Sequence, residues 1–277
     1  MRILAIDWSG KRTRPEEFIW VAEVRDGELT DLRNGLSREQ VVERLATAAA
    51  EEPRTVVGLD FAFSFPAWWC REQGWEDVGA VWAAMARDGE RLLDACADPL
   101  WGRPGTRNPA TPERPAYRRT DRAAGPGSPK SVFQIGGAGA VGIGSVRGMP
   151  HLRTLRERGF AVWPFHDDGP PWVVEIYPRA LTDAVNKSSW RDRRAYLARR
   201  FPEQPDALLE RAAGSEDAFD AAVSALVMDR HREELATLGR TSDPVEAIEG
   251  RIWRPGTSAR ASARKGVRRP GPRAAAP

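Results

Sequence analysis

One stretch, TVVGLDF at residues 55–61, restricts the possible folds of this chain more than any other. Its apolar residues are almost continuous, which is typical of a β-strand that other elements cover on both faces. Strands of this kind occur in α/β domains, where helices pack on the two faces of a sheet. The stretch therefore predicts a central strand in an α/β domain.

The segments around this strand predict the rest of the sheet. Strand-like patterns occur in five other segments: RILAID (2–7), EFIWVAEV (17–24), ELTDLR (28–33), FAVWPF (160–165) and WVVEIYP (172–178). The first three follow one another closely, as in an antiparallel meander. Ser37, with Gln40 three residues later, has the capping-box pattern that begins a helix. Because helical patterns separate the later strands, the order predicts a mixed sheet with helices on its faces.

Composition divides the chain into a body and a tail. Residues 98–131 are basic and rich in Pro and Gly, so we expect a long insertion, at about 98–150, within one domain of residues 1–255. Residues 256–277 hold six basic residues and no acid, and they are rich in Ala, Pro and Gly. This composition predicts a disordered basic tail, which is either a solubilising extension or a non-specific contact to nucleic acid.

Several classes of protein are disfavoured. No apolar run is long enough to span a membrane, and the first residues lack the apolar core of a signal peptide, so we expect a cytoplasmic protein. Cys70 and Cys96 are too few for a disulfide framework. The three histidines are scattered along the chain, which gives no support for a zinc site.

Acidic residues fall where apolar residues are expected. Asp7 and Asp60 end strand-like segments, Glu175 lies inside another, and Asp217 and Asp220 lie in the small apolar helix SEDAFDAAVSALVMDRH (215–231). A buried carboxylate is costly unless it is protonated, paired or bound to a metal. Individually they have structural explanations: turn capping for Asp7 and Asp60, a buried arginine for Glu175, and the helix dipole for Asp217.

Taken together, these acids predict one cluster of carboxylates, drawn from central strands and one helix. Mg²⁺ and Mn²⁺ prefer oxygen ligands of this kind. Two such ions, roughly 3.5–4 Å apart, stabilise the attacking and leaving oxygens in the hydrolysis of a phosphodiester. The ions also cancel the repulsion among the carboxylates.

Seven motifs carry a resemblance to a known family: IDWSG, GLDFAFSFP, SVFQIGGAGAVG, VWPF, VEIYP, EDAFDAAVSAL and EGRIWRPG. As a set they resemble a domain-of-unknown-function family described as predicted RNase H-like nucleases, over roughly residues 1–256. The order of acids and elements resembles the RNase H-like superfamily, and the last helix is similar to the acidic helix of RuvC-type nucleases. No single motif of the seven is specific.

The resemblance implies a five-stranded mixed sheet in the order 3-2-1-4-5, with helices on both faces and the site at its centre. It implies that Asp7, Asp60 and either or both of Asp217 and Asp220 bind Mg²⁺ or Mn²⁺. Glu175 matches the E-x-Y-P motif of the family and joins these four as a predicted catalytic residue.

The function expected from these residues is metal-dependent hydrolysis of phosphodiester bonds by a two-metal carboxylate mechanism. The substrate would be nucleic acid, either DNA or RNA, and the oligomeric state stays open. Arg118, Arg119 and Lys130 are predicted to hold phosphates, and Gln134 is predicted to contact the substrate.

Three alternatives compete with this hypothesis. GAGAVG (137–142) has the spacing of a dinucleotide fingerprint, but Gly144, Gly148 and Pro150 disfavour the helix that should follow it. The same Gly-rich stretch suits an ATP- or phosphate-binding phosphotransferase on a related fold. The third alternative is a non-catalytic nucleic-acid-binding protein, in which the acids pair with arginine.

Overall fold

A computed structural model describes residues 1–123 and 130–257, and within these ranges six strands form one sheet. The strands are β1 (Arg2–Asp7), β2 (Trp20–Arg25), β3 (Glu28–Arg33), β4 (Thr55–Leu59), β5 (Ala161–Val162) and β6 (Trp172–Glu175). Their order across the sheet is β3-β2-β1-β4-β6-β5. The first three are antiparallel neighbours, whereas β1, β4, β6 and β5 are parallel. The predicted mixed α/β fold is confirmed.

The expected five-stranded order, 3-2-1-4-5, is wrong, because a sixth strand extends the sheet. Strand β6 occupies the place beside β4, and β5 pairs with the outer edge of β6. The predicted strand at residues 160–165 shortens to Ala161–Val162. Pro164 follows closely and has no N–H to donate, which accounts for the early end of this strand.

Eleven α-helices are present in the described ranges. They are α1 (Arg38–Glu51), α2 (Ala67–Glu72), α3 (Val78–Ala95), α4 (Arg119–Ala123), α5 (Gly142–Glu157), α6 (Pro178–Leu181), α7 (Trp190–Arg200), α8 (Asp206–Ala213), α9 (Glu216–Arg230), α10 (Arg232–Leu235) and α11 (Glu246–Glu249). The capping box at α1 is confirmed: Ser37 Oγ accepts from the Gln40 N–H, and Gln40 Oε1 accepts from the Ser37 N–H.

Two apolar clusters cover the two faces of the sheet. Alternate residues of β1 enter them, with Leu4 and Ile6 on one face and Ile3 and Ala5 on the other. Helices α1, α3 and α5 contribute to the first cluster, and α7, α8 and α9 contribute to the second. All five residues of β4 are buried, as expected for a strand that is covered on both faces.

Helix α5 corrects the expectation that Gly144, Gly148 and Pro150 prevent a helix at this position. It begins at Gly142 and continues through all three residues. Gly148 is needed for packing, since a Cβ atom there would lie 2.7 Å from the Phe61 ring. Close packing against the sheet therefore outweighs a weak local helix propensity.

The predicted insertion lies against the domain. Trp101 forms a parallel bridge with Gln134, and the Ile135 N–H donates to the Trp101 carbonyl at 2.8 Å. The run before GAGAVG is thus an isolated bridge rather than a strand of the sheet, unlike the strand that a dinucleotide fingerprint follows. Part of the insertion, 124–129, and most of the predicted disordered tail, 258–277, lie outside the described residues.

None of the helices in the described ranges combines the length and the apolar character that a membrane crossing requires.

Candidate active site

The ends of β1 and β4 bring two of the predicted acids together. The strands are parallel neighbours, and the register pairs Ile6 with Leu59. The Asp60 N–H donates to the Ile6 carbonyl at 3.1 Å, which continues the pairing beyond the last strand residue. Asp7 and Asp60 therefore lie side by side at one edge of the sheet, where a parallel arrangement gathers the carboxyl ends of strands.

Helix α9 brings the other two aspartates to the same edge. Ser215 caps the helix by accepting from the Ala218 N–H at 3.0 Å, and α9 packs against β1 and β2. Close packing on β4 requires Gly58, since a Cβ there would lie 2.6 Å from Met228 Sδ. The first turns of α9 carry Asp217 and Asp220, and the charges of both act on Asp7 and Asp60 at the ends of the strands.

The charges of these aspartates interact, because Asp60, Asp217 and Asp220 raise the pKa of Asp7, and Asp217 and Asp220 raise that of Asp60. Burial is the main cause for Asp60, whose pKa is raised to about 8, and the charge of Asp220 adds to it. Burial also raises the pKa of Asp7 well above its usual range, and Asp60, Asp220 and Asp217 increase the effect. A cluster of this kind holds its full negative charge at neutral pH only beside a cation.

Two lysines supply positive charge to this cluster. Lys187 Nζ lies 2.5 Å from Oδ1 and 2.8 Å from Oδ2 of Asp220, and it opposes the rise in the pKa values of Asp7 and Asp60. Lys11 opposes the rise in the pKa of Asp217, which burial causes. Lys187 was not predicted from the sequence, because its surroundings, VNKSSW, carry no recognisable motif.

The carboxylates have the chemistry that Mg²⁺ and Mn²⁺ prefer, but they are not arranged as a finished metal site. Throughout residues 1–123 and 130–257, no group of three or more Asp, Glu, His or Cys side chains is positioned to hold a metal ion. Asp220 is bound to Lys187 instead. The aspartate carboxylates therefore match a hard cation in chemistry and charge. Asp220 can bind that cation only after it releases Lys187.

Glu175, the fifth predicted catalytic residue, lies in a buried network with Arg118, and its charge contributes to the raised pKa of Asp60. Its two oxygens accept from Arg118 at 2.5 and 2.8 Å, and one of them also accepts from the Phe63 N–H at 3.0 Å. Arg118 is 1% exposed and also binds Asp121. Glu175 is thus paired with a buried arginine, which is the structural explanation given for it from the sequence. Because Arg118 is engaged in this network, it is not free to contact a phosphate.

The other predicted substrate contacts lie in different settings. Arg119 is half-exposed and forms an ion pair of 2.6 Å with Asp243. Gln134 Nε2 donates to the carbonyls of Gly136 and Ala138, at 3.1 Å each. Lys130 alone of these residues lines the pocket beside Asp60.

This pocket has a volume of about 500 Å³ and reaches from Asp60 to the start of α5. Tyr177 lies in its wall, and burial together with the nearby charge of Asp60 raises the tyrosine pKa. Tyr177 belongs to the E-x-Y-P motif, and no role was predicted for it. With an acid at one end and a largely apolar wall with basic groups, the pocket can hold a substrate against Asp60.

Comparison with known proteins gives one family. The family model described as "Protein of unknown function (DUF429)" matches residues 4–243. Neither a curated protein nor a solved structure gives a significant match to the chain.

Proposed function

Because the chain belongs to the DUF429 family, whose description assigns no activity, we propose from its own residues that it is a metal-dependent nuclease. It would hydrolyse phosphodiester bonds of nucleic acid. The observation that carries this proposal is the convergence of Asp7, Asp60 and Asp220, with Asp217 beside them: burial raises the pKa of each, and repulsion from the other aspartates adds to it at Asp7 and Asp60. Such repulsion is costly without function, and a divalent cation removes it.

We also infer that the sheet is of the RNase H-like type. Three antiparallel strands are followed by β4, which lies parallel to β1, in the order β3-β2-β1-β4. The acids follow β1 and β4 and begin the last long helix, as the resemblance implies. The additional strand, β5, lies at the far edge of the sheet beyond β6, away from these positions.

Asp7, Asp60 and Asp220 would hold Mg²⁺ or Mn²⁺, with Asp217 beside them. When bound, the cation would activate water and stabilise negative charge on the oxygens of the scissile phosphate. Asp220 would have to release Lys187 in order to bind the cation. Tyr177, whose raised pKa keeps its hydroxyl protonated, would donate a hydrogen bond to the substrate.

The non-catalytic alternative, in which the acids pair with arginine, suits Glu175 but not the cluster. Arg118 neutralises Glu175, as this alternative expects. The charges that act on Asp7 and Asp60 are other aspartates, Glu175 and Lys187 rather than arginines. This difference favours a site that accepts an external cation.

Cleavage assays test the proposal directly. The purified full-length protein is incubated with labelled single-stranded DNA, duplex DNA, RNA and branched DNA, in Mn²⁺, in Mg²⁺ and in EDTA. We expect cleavage that needs the metal and that Asp7→Asn and Asp60→Asn each abolish. Asp167→Asn is the control, since Asp167 is exposed and does not line the pocket.

Two results would contradict the proposal: no cleavage of any substrate, or equal cleavage by Asp60→Asn and the unaltered protein. ATP is included as a further substrate because the Gly-rich stretch before α5 borders the same pocket. Metal-dependent hydrolysis of ATP without cleavage of nucleic acid would support the phosphotransferase alternative instead.

A further inference from the structure

We propose that the pocket beside Asp60 binds one nucleotide unit, either a free nucleotide or the end of a single strand. This inference rests on the proposed function and narrows its substrate class. It predicts an enzyme that acts on terminal or very short phosphodiesters rather than within a duplex.

The size of the pocket is the first argument. A volume of about 500 Å³ falls within the range of sites that enclose a small molecule. The walls come from several elements, so the ligand would lie in a concave site. Val132 and Val141 belong to the predicted insertion, Ile143 to the first turn of α5, and Tyr177 and Ile252 lie outside the insertion. This volume has room for one nucleotide unit but not for a duplex.

The charge of the pocket is the second argument. Six basic residues line it: Lys11, Arg12, Arg118, Arg122, Lys130 and Arg147. Arg118 is neutralised by Asp121 and Glu175, and Arg12 and Arg147 both form salt bridges with Glu90. Lys11 Nζ lies 3.2 Å from the centre of the Phe18 ring and opposes the rise in the pKa of Asp217. Arg122 and Lys130 form no salt bridge among the described residues. These two cations are thus available to an anion that the aspartates alone would repel.

The apolar lining is the third argument, because it separates a nucleotide from a simple phosphate. Trp8, Phe61, Ile143 and Tyr177 give the pocket a largely apolar and aromatic wall. Aromatic side chains bind bases by stacking with little preference for sequence. A ligand that joins a phosphate to a flat ring could therefore contact the basic residues with its phosphate and the apolar and aromatic residues with its ring.

The positions of these groups give the ligand a direction. Asp60 lies at the end of β4, whereas Lys130 lies beside Gly139, on the side of the insertion. A nucleotide that places its ester bond at Asp60 would extend toward Lys130 and Arg122. Because a site of this volume has room for one unit, that unit would be the last of its strand or a free nucleotide.

Binding is measured without turnover, by the fluorescence anisotropy of a labelled nucleoside monophosphate in EDTA and again in Mg²⁺ with Asp7→Asn. Competitors are the unlabelled nucleotide, the matching nucleoside, inorganic phosphate, a linear single strand, a closed circular single strand and a duplex. We expect the free nucleotide and the linear strand to have similar inhibition constants when the strand is counted by the concentration of its ends. We expect the nucleoside, phosphate, circle and duplex to compete poorly.

Charge reversal locates the site. Arg122→Glu and Lys130→Glu should each weaken nucleotide binding by about tenfold or more, as expected for the loss of a charged contact to phosphate. Arg107→Glu is the matched control, since Arg107 is exposed, lies in the same insertion and does not line the pocket. Ile143→Trp fills the pocket without a change of charge and should also weaken binding.

Several results separate this inference from the proposed function. Equal competition by the circular strand, unchanged binding by both charge-reversal variants, or no nucleotide binding in either condition would overturn the pocket assignment. The cleavage assay would then still decide whether the protein is a nuclease. Nucleotide binding that the variants abolish, without cleavage of any substrate, would support the pocket and contradict the nuclease.

Discussion

Lys187 Nζ contacts both carboxylate oxygens of Asp220, at 2.5 and 2.8 Å, at the edge of a cluster of four aspartates. The side chains are 9% and 18% exposed, so the pair is largely shielded from water. Its charge opposes the rise in the pKa values of Asp7 and Asp60. Lys187 therefore offsets part of the negative charge that a bound metal ion would offset in the proposed enzyme.

Replacing Lys187 by methionine should reveal a competition between this lysine and a metal. Without metal, Lys187→Met should lower the free energy of unfolding by about 1–3 kcal/mol, because Asp220 loses its partner. Mn²⁺ should stabilise the variant more than it stabilises the unaltered protein. Denaturant unfolding with and without Mn²⁺ measures both effects.

The control for this experiment is Arg194→Met, which removes a surface ion pair with Asp206 and Glu210 and should cost at most about 1 kcal/mol. If Mn²⁺ stabilises Lys187→Met and the unaltered protein equally, Lys187 and the metal do not compete.

The raised pKa of Asp60 predicts how stability depends on pH. The folded value is about 8, above the ordinary value of 3.8, so the folded protein holds this proton more tightly than the unfolded chain does. The resulting stabilisation is complete below the unfolded pKa and is lost as the pH rises to the folded pKa. In EDTA, the free energy of unfolding should therefore fall between about pH 4 and pH 8.

Asp60→Asn should reduce this slope, because asparagine does not titrate, and saturating Mn²⁺ should also reduce it by favouring the charged carboxylates. Thermal unfolding across this pH range measures the slope. An identical slope in Asp60→Asn would contradict the assigned pKa.

The buried network around Arg118 predicts a large loss of stability. Arg118→Met leaves Glu175 and Asp121 without their shared guanidinium, and breaking a buried pair in this way costs about 3–5 kcal/mol. Arg118→Lys should recover little, since a single ammonium cannot reproduce the several hydrogen bonds of the guanidinium.

Arg119→Met is the neighbouring control, because the ion pair of Arg119 with Asp243 is exposed and should contribute less than about 1 kcal/mol. Chemical denaturation ranks the three variants. Similar stability of Arg118→Met and Arg119→Met would rule out the structural role of Arg118.

The contact between α5 and Phe61 predicts a steric effect at Gly148. A Cβ at this position would lie 2.7 Å from the ring, so Gly148→Ala should destabilise the protein by about 1–3 kcal/mol. This outcome is the reverse of the gain that alanine usually brings in a helix. Gly239→Ala, where no atom lies within 4 Å, should change the melting temperature little. A stabilising Gly148→Ala would contradict the packing of α5.

Features that depend on neighbouring residues were predictable from the sequence. The continuous apolar residues of β4 predict a strand covered on both faces, and Ser37 with Gln40 predicts the start of α1. Local patterns also place Asp7 and Asp60 at the ends of strands, whereas the pairing of β1 with β4 is a tertiary feature. These predictions succeed because periodicity, capping and strand ends are encoded within a few residues.

Only the tertiary structure decided which distant charges meet. Glu175 pairs with Arg118 across 57 residues, and Asp220 pairs with Lys187 across 33 residues. Close packing against Phe61 kept α5 helical through residues that usually break a helix. The partner of a buried charge depends on how helices pack on the sheet, and contact energies there exceed local propensities. For this reason the acids were predictable from the sequence, and their cations were not.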